Sequence, residues 1–341
     1  MVRTARIFGV LFLMIVTIIK IWDSPISVTA QESLNQLVFR GRNSDQDVLI
    51  FAEQNYISIY NDKLQRVIKL DLALPNSSDY SAVPFTMAWS PNGKVFAALV
   101  NFNGLVSNQI TLVTYVIAWD ATTWKCLSIT SGVDGITQLT LSPDGGYMAV
   151  KRFTEGSVVG IYDTARGELV REIVLQPFRP LYHLIWDPQN SNKLVISTDK
   201  VEVWNPSTGE LINMLGSYNS DSAPVFNSRS GLLGVINLNA DVDIWDQDTN
   251  QIIRTIDNAV DIYSIGWIED GLITLDFNDS TLLWNIADGS SIVLSTEPNV
   301  GAWSFDGTTY VSWNDHGFFL HDRDTGAILA QLLKVTGTPV N

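Results

Sequence analysis

The chain has 341 residues, of which 46% are hydrophobic and 10% aromatic, a composition that is typical of a folded globular protein and excludes a long disordered chain. Its 36 acidic and 21 basic residues give a formal net charge of −15, so its surface repels phosphate groups and we expect no nucleic-acid binding. The one cysteine, Cys126, excludes an internal disulfide, and its place in a predicted strand favours a small buried side chain.

The first 30 residues have the features of an export segment. Two arginines precede the run Ile7–Ile19, in which only Thr17 is polar. That run is shorter than the roughly 20 apolar residues of a membrane span but suits the core of a signal peptide. Ala30 ends a small-x-small pattern that predicts cleavage before Gln31, and an uncleaved anchor formed by residues 7–22 is the alternative. In both cases we expect residues 31–341 to be secreted or extracytoplasmic.

One short pattern occurs seven times along the rest of the chain. An alternating apolar stretch ends in an aromatic residue or histidine, and Asp or Asn follows directly. Alternation predicts a strand with one buried face, and Asp or Asn predicts a turn. The last six copies lie 37 to 43 residues apart, and a repeat of about 40 residues predicts four-stranded blades. The copies are Tyr60-Asn61, Trp119-Asp120, Tyr162-Asp163, Trp204-Asn205, Trp245-Asp246, Trp284-Asn285 and His321-Asp322.

Turn-forming residues divide each repeat into four strands, a to d. Ser90-Pro91-Asn92-Gly93 and Ser142-Pro143-Asp144-Gly145 are typical of tight turns, here between strands a and b. Five of the turns between strands c and d should close on a residue with positive φ, namely Gly167, Gly209, Asn250, Gly289 and Gly326. Seven such units fit between Leu37 and Leu333, which predicts an all-β domain over residues 31–341 whose ring closure does not require a borrowed N-terminal strand.

These turns and the Trp-Asp and Trp-Asn pairs make residues 35–334 resemble a WD-repeat protein with a seven-bladed β-propeller. The family's Gly-His dipeptide before strand a is missing, since Val133 follows Gly132 and Ser217 follows Gly216. The resemblance therefore implies a propeller without the family's His–Asp hydrogen-bond network, with tryptophan packing in its place.

Binding residues are predicted on one end of the propeller. In an antiparallel meander the b–c and d–a connections share an end, and only there do the lengths vary. Residues 71–84, which join blades 1 and 2, and residues 101–109, which lengthen the b–c hairpin of blade 2, are interpreted as neighbouring insertions. Loops on a rigid frame often carry binding residues. Exposed aromatic side chains and arginine often dominate protein contacts. The predicted partner-binding residues are Tyr80, Phe102, Asn103, Phe178, Arg179 and Tyr218.

No catalytic motif is found in the sequence. Of the three histidines, His183 and His321 are predicted to pack in the core, and His316 has too few neighbouring ligands for a metal site. No catalytic residue, metal or cofactor is predicted. The leading hypothesis is a monomeric, non-enzymatic scaffold that binds a protein, peptide or glycan and meets a membrane only through its N-terminal segment. The rival is an exported hydrolase or lyase with its site at the mouth of the central channel.

Overall fold

The structure is a computed structural model, and it describes most of the chain from Ser27 to Leu333. The described ranges are 27–29, 37–43, 46–60, 66–131, 138–153, 157–175, 180–219, 223–227, 229–257, 262–269, 271–277, 280–295, 300–303, 309–314 and 317–333. Phe178, Arg179 and residues 1–26 of the predicted export segment lie outside these ranges.

β-Strands are the only regular elements among the described residues, and they are grouped into seven sheets that we number as blades along the chain. Blade 1 holds β2 (Leu37–Asn43), β3 (Gln46–Glu53), β4 (Tyr56–Tyr60) and β5 (Arg66–Asp71). Blade 2 holds β6 (Ser77–Trp89), β7 (Val95–Val106), β8 (Gln109–Asp120) and β9 (Cys126–Thr130). Blade 3 holds β10 (Gln138–Leu141), β11 (Tyr147–Phe153), β12 (Ser157–Asp163) and β13 (Leu169–Val174).

The same arrangement continues in the second half. Blade 4 holds β14 (His183–Trp186), β15 (Leu194–Ser197), β16 (Lys200–Asn205) and β17 (Glu210–Ser217). Blade 5 holds β18 (Val225–Phe226), β19 (Leu233–Ile236), β20 (Val242–Asp246) and β21 (Gln251–Ile256). Blade 6 holds β22 (Ile262–Glu269), β23 (Leu272–Phe277), β24 (Thr281–Asn285) and β25 (Ser291–Ser295). Blade 7 holds β26 (Val300–Trp303), β27 (Thr309–Asn314), β28 (Gly317–Asp322) and β29 (Ile328–Leu333), joined by β1 (Ser27–Thr29).

Each blade is an antiparallel sheet whose strands follow one another in chain order, as predicted for a seven-bladed β-propeller. Blade 7 supplies its own fourth strand, β29, so no borrowed strand is needed to complete it. The additional strand β1 pairs in parallel with the outer edge of β29, with Ser27 opposite Gln331 and Thr29 opposite Leu333.

The repeated aromatic residue marks the same structural position in successive blades. In six blades the pairing of strands c and d shifts register immediately before this residue, for example between Val203 and Trp204 and between Ile244 and Trp245. The turn that follows is built by the Asp or Asn side chain: the N–H of Ser207 donates to Oδ1 of Asn205 at 2.9 Å. The predicted positive φ is confirmed at all five positions, with 76° at Gly209 and 56° at Asn250.

The core lies between blades, because each sheet buries its faces against its two neighbours. Trp245 of blade 5 is fully buried and packs in one cluster with Val195 and Val203 of blade 4. The indole N–H of Trp267 in blade 6 donates to the carbonyl oxygen of Val225 in blade 5 at 3.0 Å. His321 was predicted to pack in the core; its ring stacks on that of Tyr310 in the same blade with centroids 4.8 Å apart, but the side chain is partly exposed.

Two local expectations from the sequence are wrong. Residues 101–109 lengthen the b–c hairpin of blade 2 as predicted, but as paired strands and not as a loop, since β7 runs to Val106 and β8 starts at Gln109. Residues 77–84 belong to β6, which begins at Ser77, and not to the connection between blades 1 and 2. The alternation of polar and apolar side chains in these residues supports strands, and loop formers such as Asn103 and Gly104 concealed it. Cys126 is exposed, because it starts β9 at an outward position of the outermost strand.

Candidate partner-binding surface

The predicted binding end of the propeller carries an ordered three-stranded sheet. We define the blade 2 extension as Ser77–Pro84, Val100–Val106 and Gln109–Tyr115, the parts of β6, β7 and β8 that continue past β9. The pairing confirms that the two insertions are neighbours, since Ala82 lies opposite Phe102 and Phe102 opposite Val113. Its tip is a two-residue turn, in which Ser107 and Asn108 have φ of 52° and 65°, the type I′ geometry that matches the twist of a hairpin.

One face of the extension is buried against blade 1. Phe102 is 2% exposed, and its ring meets that of the fully buried Tyr115 at 5.9 Å and 61°. The Tyr115 hydroxyl donates to the carbonyl oxygen of Leu72, and burial raises the pKa of this tyrosine. The expected exposure of Phe102 is therefore wrong: strand alternation directs its side chain towards blade 1 instead of solvent.

Tyr80 is held on the same face and is only partly exposed. Its ring stacks on that of Phe102 with centroids 5.7 Å apart and planes 13° from parallel. Its hydroxyl donates to Oδ1 of Asp71 at 2.7 Å. Burial, followed by the hydrogen bond to Asp71, raises the pKa of Tyr80 to about 12. Tyr80 thus stabilises the extension, and its ring is not the fully exposed platform that the sequence predicted.

Hydrogen bonds of Asn55 fix the extension and the segment before it to the hairpin turn of blade 1. Asn55, with φ of 73°, accepts the N–H of Ala82 on its side-chain oxygen at 2.7 Å and donates its own N–H to the carbonyl oxygen of Ala82 at 2.7 Å. The carbonyl oxygen of Asn55 accepts the N–H of Leu72 at 3.0 Å. The extension therefore belongs to the rigid frame.

The opposite face of the extension points to solvent. Asn103 is exposed, as the sequence predicted. Beside it on this face lie three aliphatic side chains that the sequence analysis missed: Ile110 is 80% exposed, Leu112 73% and Val83 46%. The signal that reveals them is their alternation with the inward residues of the same hairpin. The result is a partly aliphatic surface on the predicted end of the propeller.

Tyr218 is engaged in a buried polar cluster of blade 5. Its hydroxyl donates to Oδ2 of Asp243 at 3.2 Å, an oxygen that also accepts the side-chain N–H of Asn237 at 3.3 Å. The hydroxyl of Thr255 donates to Oδ1 of Asp243 at 2.7 Å. Burial raises the pKa of Tyr218. A tyrosine–aspartate hydrogen bond thus joins the segment between blades 4 and 5 to strand c of blade 5. The sequence had led us to expect tryptophan packing alone at such positions.

The buried carboxylates that are described serve the fold. Oδ2 of Asp187 accepts the side-chain N–H of Gln247 at 2.6 Å, and Oε2 of Glu202 accepts the indole N–H of Trp204 at 3.0 Å. Burial raises the pKa of Asp187. His183 is partly buried at the start of β14. Within the described ranges no three His, Cys, Asp or Glu side chains are grouped as metal ligands would be, and no helix has the length and apolar character of a membrane span.

Comparison with known proteins identifies the fold. No protein-family model matches the chain. The chain is 29% identical over 117 residues to the COMPASS component SWD3 of Saccharomyces cerevisiae, a stretch that covers 34% of this chain and only 36% of that protein. It superposes on the crystal structure of the C-terminal WD40 domain of Sif2 with a TM-score of 0.62 and 15% identity, over 89% of each chain. It matches a chain in the crystal structure of a mitotic checkpoint complex with a TM-score of 0.58 and 12% identity, over 87% of this chain and 95% of that one.

Proposed function

We propose that this chain, which has the WD-repeat β-propeller fold, is a non-enzymatic extracytoplasmic scaffold that binds a partner protein through the solvent face of the blade 2 extension. The observation that carries this proposal is the exposure of Ile110 and Leu112 on a sheet that is hydrogen-bonded into a rigid frame. Grouped aliphatic side chains on an ordered surface are typical of interaction sites.

The comparisons support a role in assembly. The names of two similar proteins place them in complexes, as a component of COMPASS and as part of a mitotic checkpoint complex. A protein or peptide partner fits this surface better than a glycan, since exposed aliphatic side chains lie on it and the predicted aromatic contacts Tyr80 and Phe102 face blade 1. Phe178 and Arg179 stay predicted contacts on the same end of the propeller.

The chemistry of the described carboxylates does not favour the rival, an enzyme at the mouth of the central channel. Asp187, Glu202 and Asp243 accept hydrogen bonds from neutral side chains and so have clear structural roles. A general acid or base has to reach a substrate directly.

A capture experiment tests the scaffold proposal. The full chain with a C-terminal tag is used to recover proteins from an extracellular extract of the producing organism, in parallel with the variant Ile110→Ser/Leu112→Ser. The matched control is Ile252→Ser/Ile253→Ser, which replaces two aliphatic side chains that are 47% and 52% exposed on blade 5.

We expect the wild type and the blade 5 control to recover the same protein and the blade 2 variant to lose it. The proposal fails if the wild type recovers nothing specific, and the choice of surface is wrong if both variants recover the partner equally well.

The extracytoplasmic location is part of the same proposal and rests on the apolar run that ends at Ile19 and on Ala30. N-terminal sequencing of the protein collected from the medium or periplasm should start at Gln31, or at Met1 in a membrane fraction if the anchor is retained. Intact Met1 on protein found only in the soluble cytoplasmic fraction would overturn export.

A further inference from the structure

One edge of the blade 2 extension has no strand beside it among the described residues. The outer strand β9 pairs with β8 only from Val116 to Trp119. Nearer the tip, no described strand pairs with the outer edge of Gln109–Tyr115, although the inner edge is paired with β7 over its whole length. Among the described residues, strand β8 is therefore covered over only part of its length, and its uncovered part lies on the predicted binding end.

The turn at the tip determines which backbone groups point outwards. In a two-residue hairpin the residues that flank the turn, here Val106 and Gln109, bond to each other. Backbone groups alternate between the two edges of a strand, so Ile110, Leu112 and Thr114 direct their N–H and C=O groups to the free edge. A strand placed there would find three donors and three acceptors at the regular spacing of a sheet.

Sequence features that normally protect such an edge are missing. Charged side chains, proline and bulges prevent edge strands from pairing with other chains. Residues Val95–Trp119 contain no charged residue and no proline, and the β7–β8 pairing runs from Val106 to Val95 without a register shift. The Ile110 and Leu112 side chains beside the free edge are 80% and 73% exposed. The edge is regular and uncharged.

We propose that the free edge of β8, from Ile110 to Thr114, binds an extended segment of a partner protein by strand addition, a step that rests on the scaffold function above. Backbone hydrogen bonds would hold the segment, and aliphatic side chains at every second position would pack beside Ile110 and Leu112. The paired part of the segment is uncharged, because the β8 edge offers no counter-charge. Basic residues flank it, because the chain carries a net charge of −15. That same charge opposes pairing between two copies of this chain.

The proposal can be tested with a synthetic peptide of alternating valine and threonine that carries two lysines at each end. Its binding to the full-length protein is measured by fluorescence anisotropy, and amide hydrogen exchange is followed by NMR with and without the peptide. A fully N-methylated version of the peptide keeps the side chains and loses the donors. The N-methylated peptide lacks the donors for the three outward carbonyl groups of β8, so it should bind at least about tenfold more weakly.

Two variants of the protein distinguish binding at the edge of β8 from binding on the solvent face of the extension. Leu112→Lys puts a charge at the free edge. Val83→Lys puts the same charge on the same solvent face but on β6, two strands away, since Val83 lies opposite Asn101 and Asn101 opposite Thr114. We expect Leu112→Lys to weaken peptide binding at least about tenfold and Val83→Lys to change it by less than about twofold. The peptide should slow amide exchange at Ile110, Leu112 and Thr114.

Several results would overturn strand addition. They are slow exchange of these three amides in the free protein, equal binding of the N-methylated peptide, and equal losses in the two lysine variants. A concentration-dependent dimer that Leu112→Lys abolishes would show that the occupant is a second copy. If the wild type captures a natural partner and Leu112→Lys captures it equally well, strand addition fails and the scaffold function stands. If no partner is captured at all, the scaffold function itself fails.

Discussion

Gly104 shows how one residue permits the blade 2 extension to form. A Cβ atom added at this position would lie 2.5 Å from Cβ and 2.8 Å from Cα of Tyr80. Real Cβ atoms do not approach other carbon atoms so closely. The backbone of β6 at Tyr80 can therefore lie this close to β7 only because residue 104 is glycine. The stacking of Tyr80 on Phe102 depends on this close approach.

We therefore predict that Gly104→Ala destabilises the protein. The new methyl group would push Tyr80 away from β7 and weaken both its stacking and its bond to Asp71, and overpacking of this kind costs about 1–3 kcal/mol. Thermal and urea unfolding should show the loss. The control is Gly216→Ala, where nothing lies within 4 Å of the added Cβ, and its effect should stay within about 0.5 kcal/mol. Equal stability of the two variants would contradict the role given to Gly104.

The residues of this region also show what the sequence could and could not predict. The end of the propeller on which residues 71–84 and 101–109 lie, and the fact that they are neighbours, could be predicted by counting connections in an antiparallel meander. The direction of each side chain did not, because a shift of one residue in strand register moves every side chain to the other face. Asn103 was expected outside and is exposed, whereas Phe102 is buried.

The c–d turn is the element that repeats most regularly, and Asp and Asn build it in the same way. Oδ1 of Asp120 accepts the N–H groups of Thr122 and Thr123 at 3.0 and 2.7 Å. Oδ1 of Asn205 accepts those of Ser207 and Thr208 at 2.9 and 3.2 Å. Only the Asp version titrates. The hydrogen bond from the backbone of Thr123 is the main cause that lowers the pKa of Asp120.

A lowered pKa makes the contribution of Asp120 dependent on pH. The contribution is complete above the pKa of about 3.9 of an unfolded aspartate and is lost as pH falls through the lower pKa of the folded state. Asp120→Asn should therefore leave stability at pH 7 nearly unchanged and reduce the loss of stability between pH 7 and pH 3. Urea unfolding at both values measures this difference. Asp120→Ala, the control, should be less stable already at pH 7, and an unchanged pH dependence in the Asn variant would contradict the prediction.

At the scale of elements, turns were predicted better than strand lengths. The positive φ of Gly209 and Asn250 follows from local turn chemistry, which the sequence shows directly. The length of β7 could not be predicted from local sequence, because Asn101, Asn103 and Gly104 are residues that are usually disfavoured in strands. Asn101 and Asn103 are tolerated because their side chains are exposed, and Gly104 because a side chain there would collide with Tyr80. Both conditions depend on residues that are distant in the sequence.

The whole molecule is held together by apolar clusters that adjacent blades share. Trp245 lies fully buried in the cluster that joins blades 4 and 5, with Val195, Val203 and Val235 around it. Such a side chain contributes to two blades at once. Its loss should weaken the contact between blades as well as the blade that carries it.

We predict that Trp245→Ala lowers the free energy of unfolding by about 3–5 kcal/mol, the cost of leaving a large cavity in a core. Trp245→Phe keeps an aromatic ring in the same place and should lose less. Calorimetry or urea unfolding of both variants provides the measurement. A melting temperature of Trp245→Ala within a degree of the wild type would show that this tryptophan does not join the two blades.

The chain order of the strands has a consequence for how the protein reaches this structure. Each blade is complete within one continuous stretch, so its hydrogen bonds can form as soon as that stretch is synthesised. Its apolar faces stay open until the next blade arrives, because the core clusters are shared. Strand β1 is made first and its partner β29 last, with Ser27 opposite Gln331, so their pairing closes a loop of about 300 residues. We expect the blades to form one after another from the N-terminus. In protein that keeps its N-terminal segment, the addition of β1 is then the final step of folding, whereas cleavage before Gln31 removes this strand.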